Sequence, residues 1–210
     1  MRRRVCLSVG AGCHRGLPHH YRGFDVVTLD VDPDTGPDVV ADVRDLSALA
    51  SESFDAVFMA HLLEHFERHE STVVLNEVQR VLRVGGFVEV RVPHVKAVFE
   101  AVVDGAELDE PLYQSALGPI TPLDVLFGHG RSIAQGKRAM AHRTAFTPAR
   151  LECVLRDAGL RVELLQPTGG TRFELCGIGR KVGEDSELLQ AEAEETSPSA
   201  GAGRDRSLTM

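Results

Sequence analysis

A chain of 210 residues with 43% hydrophobic side chains and a formal charge of −8 is long enough for one α/β domain with a continuous core. Seven acids and two arginines fall in the last 27 residues, from Glu184 onward, so residues 1–183 carry only −3. That mild acidity, with no dominant basic face, disfavours a nucleic-acid partner, whose binding rests on phosphate neutralisation by Lys and Arg.

The chain opens on Met1-Arg2-Arg3-Arg4, and the apolar run that follows, Val5-Cys6-Leu7-Ser8-Val9, breaks at Gly10 and Gly12. It is shorter than a secretory apolar region and far short of a membrane span. Cys6, Cys13, Cys153 and Cys176 form no CxxC pair and read as reduced thiols, so the expected location is cytoplasmic, with no membrane partner.

Val5–Val9 is the first expected strand, followed by the Gly10-Ala11-Gly12 turn, a helix, and a second strand, Val26-Val27-Thr28-Leu29, that ends at Asp30. Short continuous apolar runs suit buried parallel strands, and glycines at a strand's carboxyl end let the backbone approach a ligand closely. An acid ending the next strand can accept hydrogen bonds from both hydroxyls of a ribose. Asp38–Val43 reads as a third strand, Phe54–Met59 as a fourth and Phe87–Val92 as a fifth. Between the last two, apolar residues at spacings of three and four predict a helix over Glu70–Leu82, with Gly85-Gly86 as its stop. Thr147 and Pro148 open a second helix, as N-cap and first helical residue, that runs to Gly159. Arg161–Leu165 and Arg172–Ile178, separated by Thr168-Gly169-Gly170, read as a closing hairpin. From Glu184 the composition offers too little apolar surface to offset ordering entropy, so 184–210 is expected to be a disordered acidic tail behind a single domain, 1–183.

These residues resemble the class I S-adenosylmethionine-dependent methyltransferases, especially the bacterial type 11 group. Val9-Gly10-Ala11-Gly12 resembles the family's first motif, Leu29-Asp30-Val31-Asp32 the second and Ala41-Asp42-Val43 the third. Phe54-Asp55-Ala56-Val57 with His61-Leu62-Leu63-Glu64-His65 resembles the fourth, and Val81–Gly86 the turn before the fifth strand. The resemblance implies an α/β, Rossmann-like fold: a seven-stranded, mostly parallel sheet with helices on both faces and a cap inserted after the fifth strand. It also implies S-adenosylmethionine as cofactor, with Gly10, Ala11 and Gly12 on the methionine portion, Asp30 and Val31 at the ribose, Asp42 and Val43 at the adenine, and Ala60 and His61 beside them. The sequence departs from many members in carrying His14 where a third glycine often stands.

The cap corresponds to about 97–145, a segment rich in polar and aromatic residues and too long for a plain spacer. Tyr113, His129 and His142 within it, with His65 and His94 at the ends of the fourth and fifth strands, are the candidates to orient or deprotonate an acceptor, either a small molecule or a peptide. No metal site is assigned. Three rivals share some of these residues. A nicotinamide-dependent oxidoreductase would use the same glycine turn and Asp30, but needs a hydride-transfer site that the sequence does not display. A catalytically silent cofactor-binding module fits the altered glycine motif. A zinc peptidase could use His61, Glu64 and His65 as an H-x-x-E-H pattern, with His69 one turn on if the stretch is helical. The identity of the acceptor, and whether it is attacked through oxygen or nitrogen, stays open.

Overall fold

The computed structural model describes residues 2–10, 16–168 and 170–183. The glycine-turn positions Ala11 and Gly12, with Cys13 and His14, and the whole 184–210 tail lie outside them, as does Gly169 in the closing hairpin.

A seven-stranded sheet organises the chain: β1 (Arg4–Val9), β2 (Phe24–Asp30), β3 (Val39–Val40), β4 (Phe54–Ala60), β5 (Leu82–Pro93), β8 (Leu160–Thr168) and β9 (Glu174–Lys181), in the order β3-β2-β1-β4-β5-β9-β8. β1 to β5 pair in parallel, and β9 joins β5 and β8 antiparallel. Strand order therefore reverses between β1 and β4, the point at whose carboxyl edge open α/β sheets bind ligands. A separate hairpin, β6 (Tyr113–Ser115) with β7 (Gly118–Ile120), belongs to the insertion.

Period-two alternation decides which helices cover which face. Leu7, Val9, Val57, Met59, Val88, Val90 and Leu175 point to one side, where α1 (Glu70–Val81) supplies Val74, Leu75 and Val78, and α5 (Pro148–Asp157) supplies Leu151 and Leu155. α5 begins as its sequence indicates, with Thr147 Oγ1 accepting from the Arg150 N–H and Pro148 at the first helical position. On the opposite face Cys6, Ala56 and Phe58 pack under Tyr21 and Leu17. The insertion contributes α2 (Val95–Val103), α3 (Pro122–Phe127) and α4 (Gly130–Ala134), with a small core of Ala97, Val98, Ala101, Ile120 and Val125 that also holds Phe173. Its helical part thus starts at Val95, two residues before the expected boundary. Among the described residues no helix is long and apolar enough to cross a membrane.

Four expectations need correction. The helix after the glycine turn is absent from residues 16–23, which hold only a 3-10 turn, His19–Tyr21; Gly16, Pro18 and Gly23 interrupt any longer helix there. The third strand shrinks from Asp38–Val43 to Val39–Val40, because Asp42 turns to bind Arg44 instead of continuing the ladder. Gly85-Gly86 do not stop α1: the helix ends at Val81, Leu82 is already extended, and both glycines lie within β5. A Cβ on Gly86 would sit 3.0 Å from the Asp55 carbonyl, so the close pairing with β4 demands glycine there. In the closing hairpin, β8 is longer than expected at both ends, whereas β9 begins two residues later, at Glu174, and runs three residues further, to Lys181, where Gly177 and Gly179 let it pass tightly under Leu151 and Leu155.

Candidate active site

Register places the motif residues side by side. Val9 lies opposite Leu29 on one side and Met59 on the other, so Gly10, Asp30 and Ala60 end three adjacent parallel strands at one edge. Gly10 adopts φ +66° and donates its N–H to the Leu29 carbonyl at 2.8 Å. A Cβ here would lie 2.8 Å from Leu62 Cδ1, so glycine is required both by the left-handed backbone and by the approach of Leu62. Asp30 is half-buried and accepts the Asp32 N–H at 3.0 Å through Oδ1, which holds its carboxylate at the strand end; Val31 is exposed.

Asp42 is gripped by Arg44, which also reaches Glu70. The Arg44 hydrogen bonds hold the Asp42 carboxyl below the usual carboxylate range, so it stays ionised at neutral pH. Val43 is buried in the main core, so its backbone, not its side chain, is what it can offer a ligand.

His61 follows β4 in a left-handed conformation, φ +51°, uncommon for a residue with a Cβ. Its N–H donates to the Arg91 carbonyl at 2.9 Å, its Nε2 lies 2.7 Å from Glu174 Oε2, and its Nδ1 is 3.5 Å from Glu64 Oε1. Packing opposes its charge, but the two carboxylates outweigh that and push its pKa up to about 10. The chain of charges continues along the sheet face opposite α1: Arg91 lies 3.6 Å from Glu174 and 2.8 Å from the buried Glu89, which binds His20 at 2.7 Å. Glu89, Arg91 and Glu174 were not singled out from sequence, and Glu64 was named there only within the H-x-x-E-H pattern. Glu89-Val90-Arg91 carried a usable signal, since charges at alternate positions of a central strand must share one face.

The insertion docks on the turn after β4. Arg143 and Thr144 donate their N–H groups to the Glu64 carbonyl at 2.8 and 3.2 Å. His65 Nδ1 meets the Ala141 carbonyl at 3.1 Å, and His142 Nδ1 the Val125 carbonyl at 2.9 Å, so the two imidazoles come within 5.0 Å, edge to face. Burial, reinforced by His65, keeps the His142 pKa below the ordinary histidine value. The other candidates are placed apart from this pair. His94 is buried, with Nδ1 at 3.0 Å from the Arg172 carbonyl, and Tyr113 stacks on Phe173 at 5.7 Å. His129 is tied within its own turn to Ser132 Oγ at 2.7 Å. The helical face that would align His61, His65 and His69 does not form: Leu63–His65 is a 3-10 turn, and His69 precedes α1.

Residues 7–90 match the sequence profile of the type 11 family described as a methyltransferase domain. This stretch of the chain is similar to the S-adenosylmethionine-dependent methyltransferases. No curated protein matches this chain in sequence. Solved structures share its fold. A methyltransferase from Methanosarcina mazei is 17% identical with a TM-score of 0.58, covering 88% of this chain and 95% of its own. The N1-methyltransferase of 1,6-didemethyltoxoflavin from Burkholderia thailandensis, solved with that acceptor and S-adenosylhomocysteine, is 19% identical with a TM-score of 0.54, covering 87% and 72%. A methyltransferase from Archaeoglobus fulgidus is 14% identical with a TM-score of 0.54, covering 85% and 86%.

Proposed function

We propose that this protein is a methyltransferase that binds S-adenosylmethionine over the carboxyl ends of β1, β2 and β4, and passes its methyl group to an oxygen or nitrogen nucleophile of a small molecule or peptide held under the 97–145 insertion. The observation that carries the reading is the alignment of Gly10, Asp30 and Ala60 at the strand-order reversal. The residues suit the cofactor. Gly10 leaves room where a Cβ would collide, the ionised Asp42 can accept from the adenine amino group, and Asp30 can accept from the ribose hydroxyls. Ala11, Gly12, Val31 and the backbone of Val43 complete the proposed cradle, with His61 as its charged rim.

The bound sulfonium supplies a methyl carbon already activated for displacement, so the protein's task is alignment at about 3 Å and removal of a proton from acceptors that carry one. His65 and His142, each with Nδ1 on a backbone carbonyl, present Nε2 as the group that can receive that proton or orient the acceptor. His94, Tyr113 and His129, placed apart from that pair, would contact more distant parts of the acceptor. The proposed organisation is one domain over 1–183, with the acidic 184–210 stretch dispensable for binding.

The Burkholderia enzyme, solved with 1,6-didemethyltoxoflavin and S-adenosylhomocysteine, supports the reading of a small-molecule acceptor. The experiment that tests the reading is calorimetric titration of the full chain with S-adenosylhomocysteine and with NAD, followed by a screen of small hydroxyl, amine and peptide acceptors for methyl transfer. Binding of NAD in preference to the methylation product would overturn it.

A further inference from the structure

We propose that Glu64, His65 and His142 form a binding site for one divalent transition-metal ion at the junction of the β4 turn and the insertion. Glu64 supplies the first observation. Its side chain is 1% exposed, and neither carboxylate oxygen has a hydrogen-bond partner. A buried carboxylate without hydrogen bonds is costly even beside one charged imidazole, and a bound cation removes that cost. Its ion-pair partner His61 stands 3.5 Å away and divides its charge with Glu174, which lies 2.7 Å from Nε2.

The imidazoles supply the second. His65 and His142 each direct Nδ1 at a backbone carbonyl, the Ala141 oxygen at 3.1 Å and the Val125 oxygen at 2.9 Å. A carbonyl only accepts, so each Nδ1 carries the hydrogen and each neutral ring keeps its lone pair on Nε2. This is how metal-binding histidines are oriented: the nitrogen away from the ion donates to a carbonyl or carboxylate, which fixes tautomer and ring angle.

Distance is the third. One donor atom from each of Glu64, His65 and His142 lies within 4.8 Å of the others. Zinc bonds of about 2.0–2.2 Å put tetrahedral donors about 3.4 Å apart, so small side-chain rotations close the site. The frame around it is set by backbone. Glu64 and His65 are fixed at successive positions of the Leu63–His65 3-10 turn. The hydrogen bonds from Arg143 and Thr144 to the Glu64 carbonyl then hold His142 opposite. Two imidazoles and one carboxylate suit zinc, manganese or iron better than magnesium or calcium, and three protein donors leave a coordination position open. An ion here takes up the same Nε2 lone pairs, so in the loaded protein the two imidazoles no longer accept the proton themselves, and the open position can instead hold the acceptor's heteroatom and lower its pKa. That consequence rests on the acceptor reading above, whereas the site itself does not.

The test uses the metal alone. The full chain is stripped with chelator, exchanged into metal-free buffer, and titrated with Zn²⁺ and separately with Mn²⁺ by calorimetry, with melting temperature followed in parallel. Wild type is expected to take up one equivalent and to melt higher when loaded. His142→Ala and His65→Ala should each weaken binding by roughly a hundredfold or more and abolish the thermal shift, since even losing a supporting hydrogen bond costs ten- to a hundredfold. Exposed His69→Ala should change neither. Glu64→Gln adds a third variant where circular dichroism shows it folded, and the two histidine variants carry the test where it does not. No stoichiometric uptake of either ion by wild type, undiminished binding in both histidine variants, or loss of binding in His69→Ala would each overturn the proposal.

Discussion

The backbone N–H of Arg143 donates to the carbonyl of Glu64 at 2.8 Å, which ties the end of the insertion directly to the turn that follows β4. The insertion is therefore latched at the edge of the sheet and does not hang from α2 alone. Arg143→Pro deletes that donor. One hydrogen bond contributes about 1 kcal/mol, which at this chain length corresponds to a fall of roughly 2–4 °C in melting temperature. Turnover should drop more than cofactor affinity, because the latch orders the side proposed to hold the acceptor. Scanning calorimetry and product-binding titration check both, and an unchanged melting temperature would mean that the Thr144 N–H is latch enough.

Asp30→Ala tests the cofactor assignment. Each ribose hydrogen bond to the charged carboxylate is worth about 1.5–3 kcal/mol, so affinity for S-adenosylhomocysteine should fall roughly ten- to a hundredfold or more. Asp30 also accepts the Asp32 N–H, so a melting curve of the variant separates lost binding from a loosened strand end. Equal affinity in variant and wild type removes Asp30 from the site.

The strand ends were legible in the sequence because they depend on local rules. Val5–Val9 and Phe54–Met59 are apolar runs of buried-strand length, and Gly10 and Asp30 follow directly from where two such runs stop. α1 and α5 were legible for the same reason, from spacing and from Thr147-Pro148. What escaped is tertiary. Nothing local says that Asp42 turns toward Arg44, or that Glu64 is buried while neighbouring His61 is paired with Glu174, 113 positions away. His65 and His142 could be named as candidates, but 76 positions separate His65 from the carbonyl of Ala141 that anchors it, and only folding brings the two rings together.

Histidine variants in the insertion should behave unequally. His142 faces His65 beside the buried Glu64, whereas His129 is engaged with Ser132 in its own turn. With an acceptor found by the screen, His142→Ala is expected to lower kcat by roughly a hundredfold or more while cofactor affinity stays within a few-fold. His129→Ala should act mainly on the KM of the acceptor. The reverse pattern would move the proton-accepting role to His129.

The cysteines predict a response to alkali. Burial, with a smaller contribution from Glu89, pushes the Cys6 thiol up to about 12 and the Cys176 thiol up to about 11. Unfolded cysteines ionise near 9, so above that pH the unfolded chain releases protons that the folded chain retains. Stability contributed by the two neutral thiols is therefore complete below about pH 9 and declines as pH rises toward 11 and 12. Urea midpoints at pH 8 and pH 10 should show the fall. At pH 8 a thiol reagent should modify Cys153, which is exposed, but reach Cys6 and Cys176 only on unfolding. Rapid labelling of either buried thiol in the folded protein would contradict the packing of that sheet face.

Gly10 separates two reasons for a glycine. A side chain there must accept φ +66°, which costs about 1–2 kcal/mol for an L-residue, and its Cβ must displace Leu62 Cδ1 from 2.8 Å. The first penalty belongs to the backbone and the second to a side chain that can be shortened. Gly10→Ala should therefore lower both stability and cofactor affinity. Adding Leu62→Ala should relieve the collision but leave the backbone strain and open a void of its own. The double variant should then bind S-adenosylhomocysteine better than Gly10→Ala alone and still less tightly than wild type. Full recovery of affinity would show that steric approach alone requires glycine at this position, and no recovery that the left-handed turn does. Calorimetric titration of the four proteins in that cycle gives the coupling between Gly10 and Leu62, the pair that brings the end of β1 against the turn after β4.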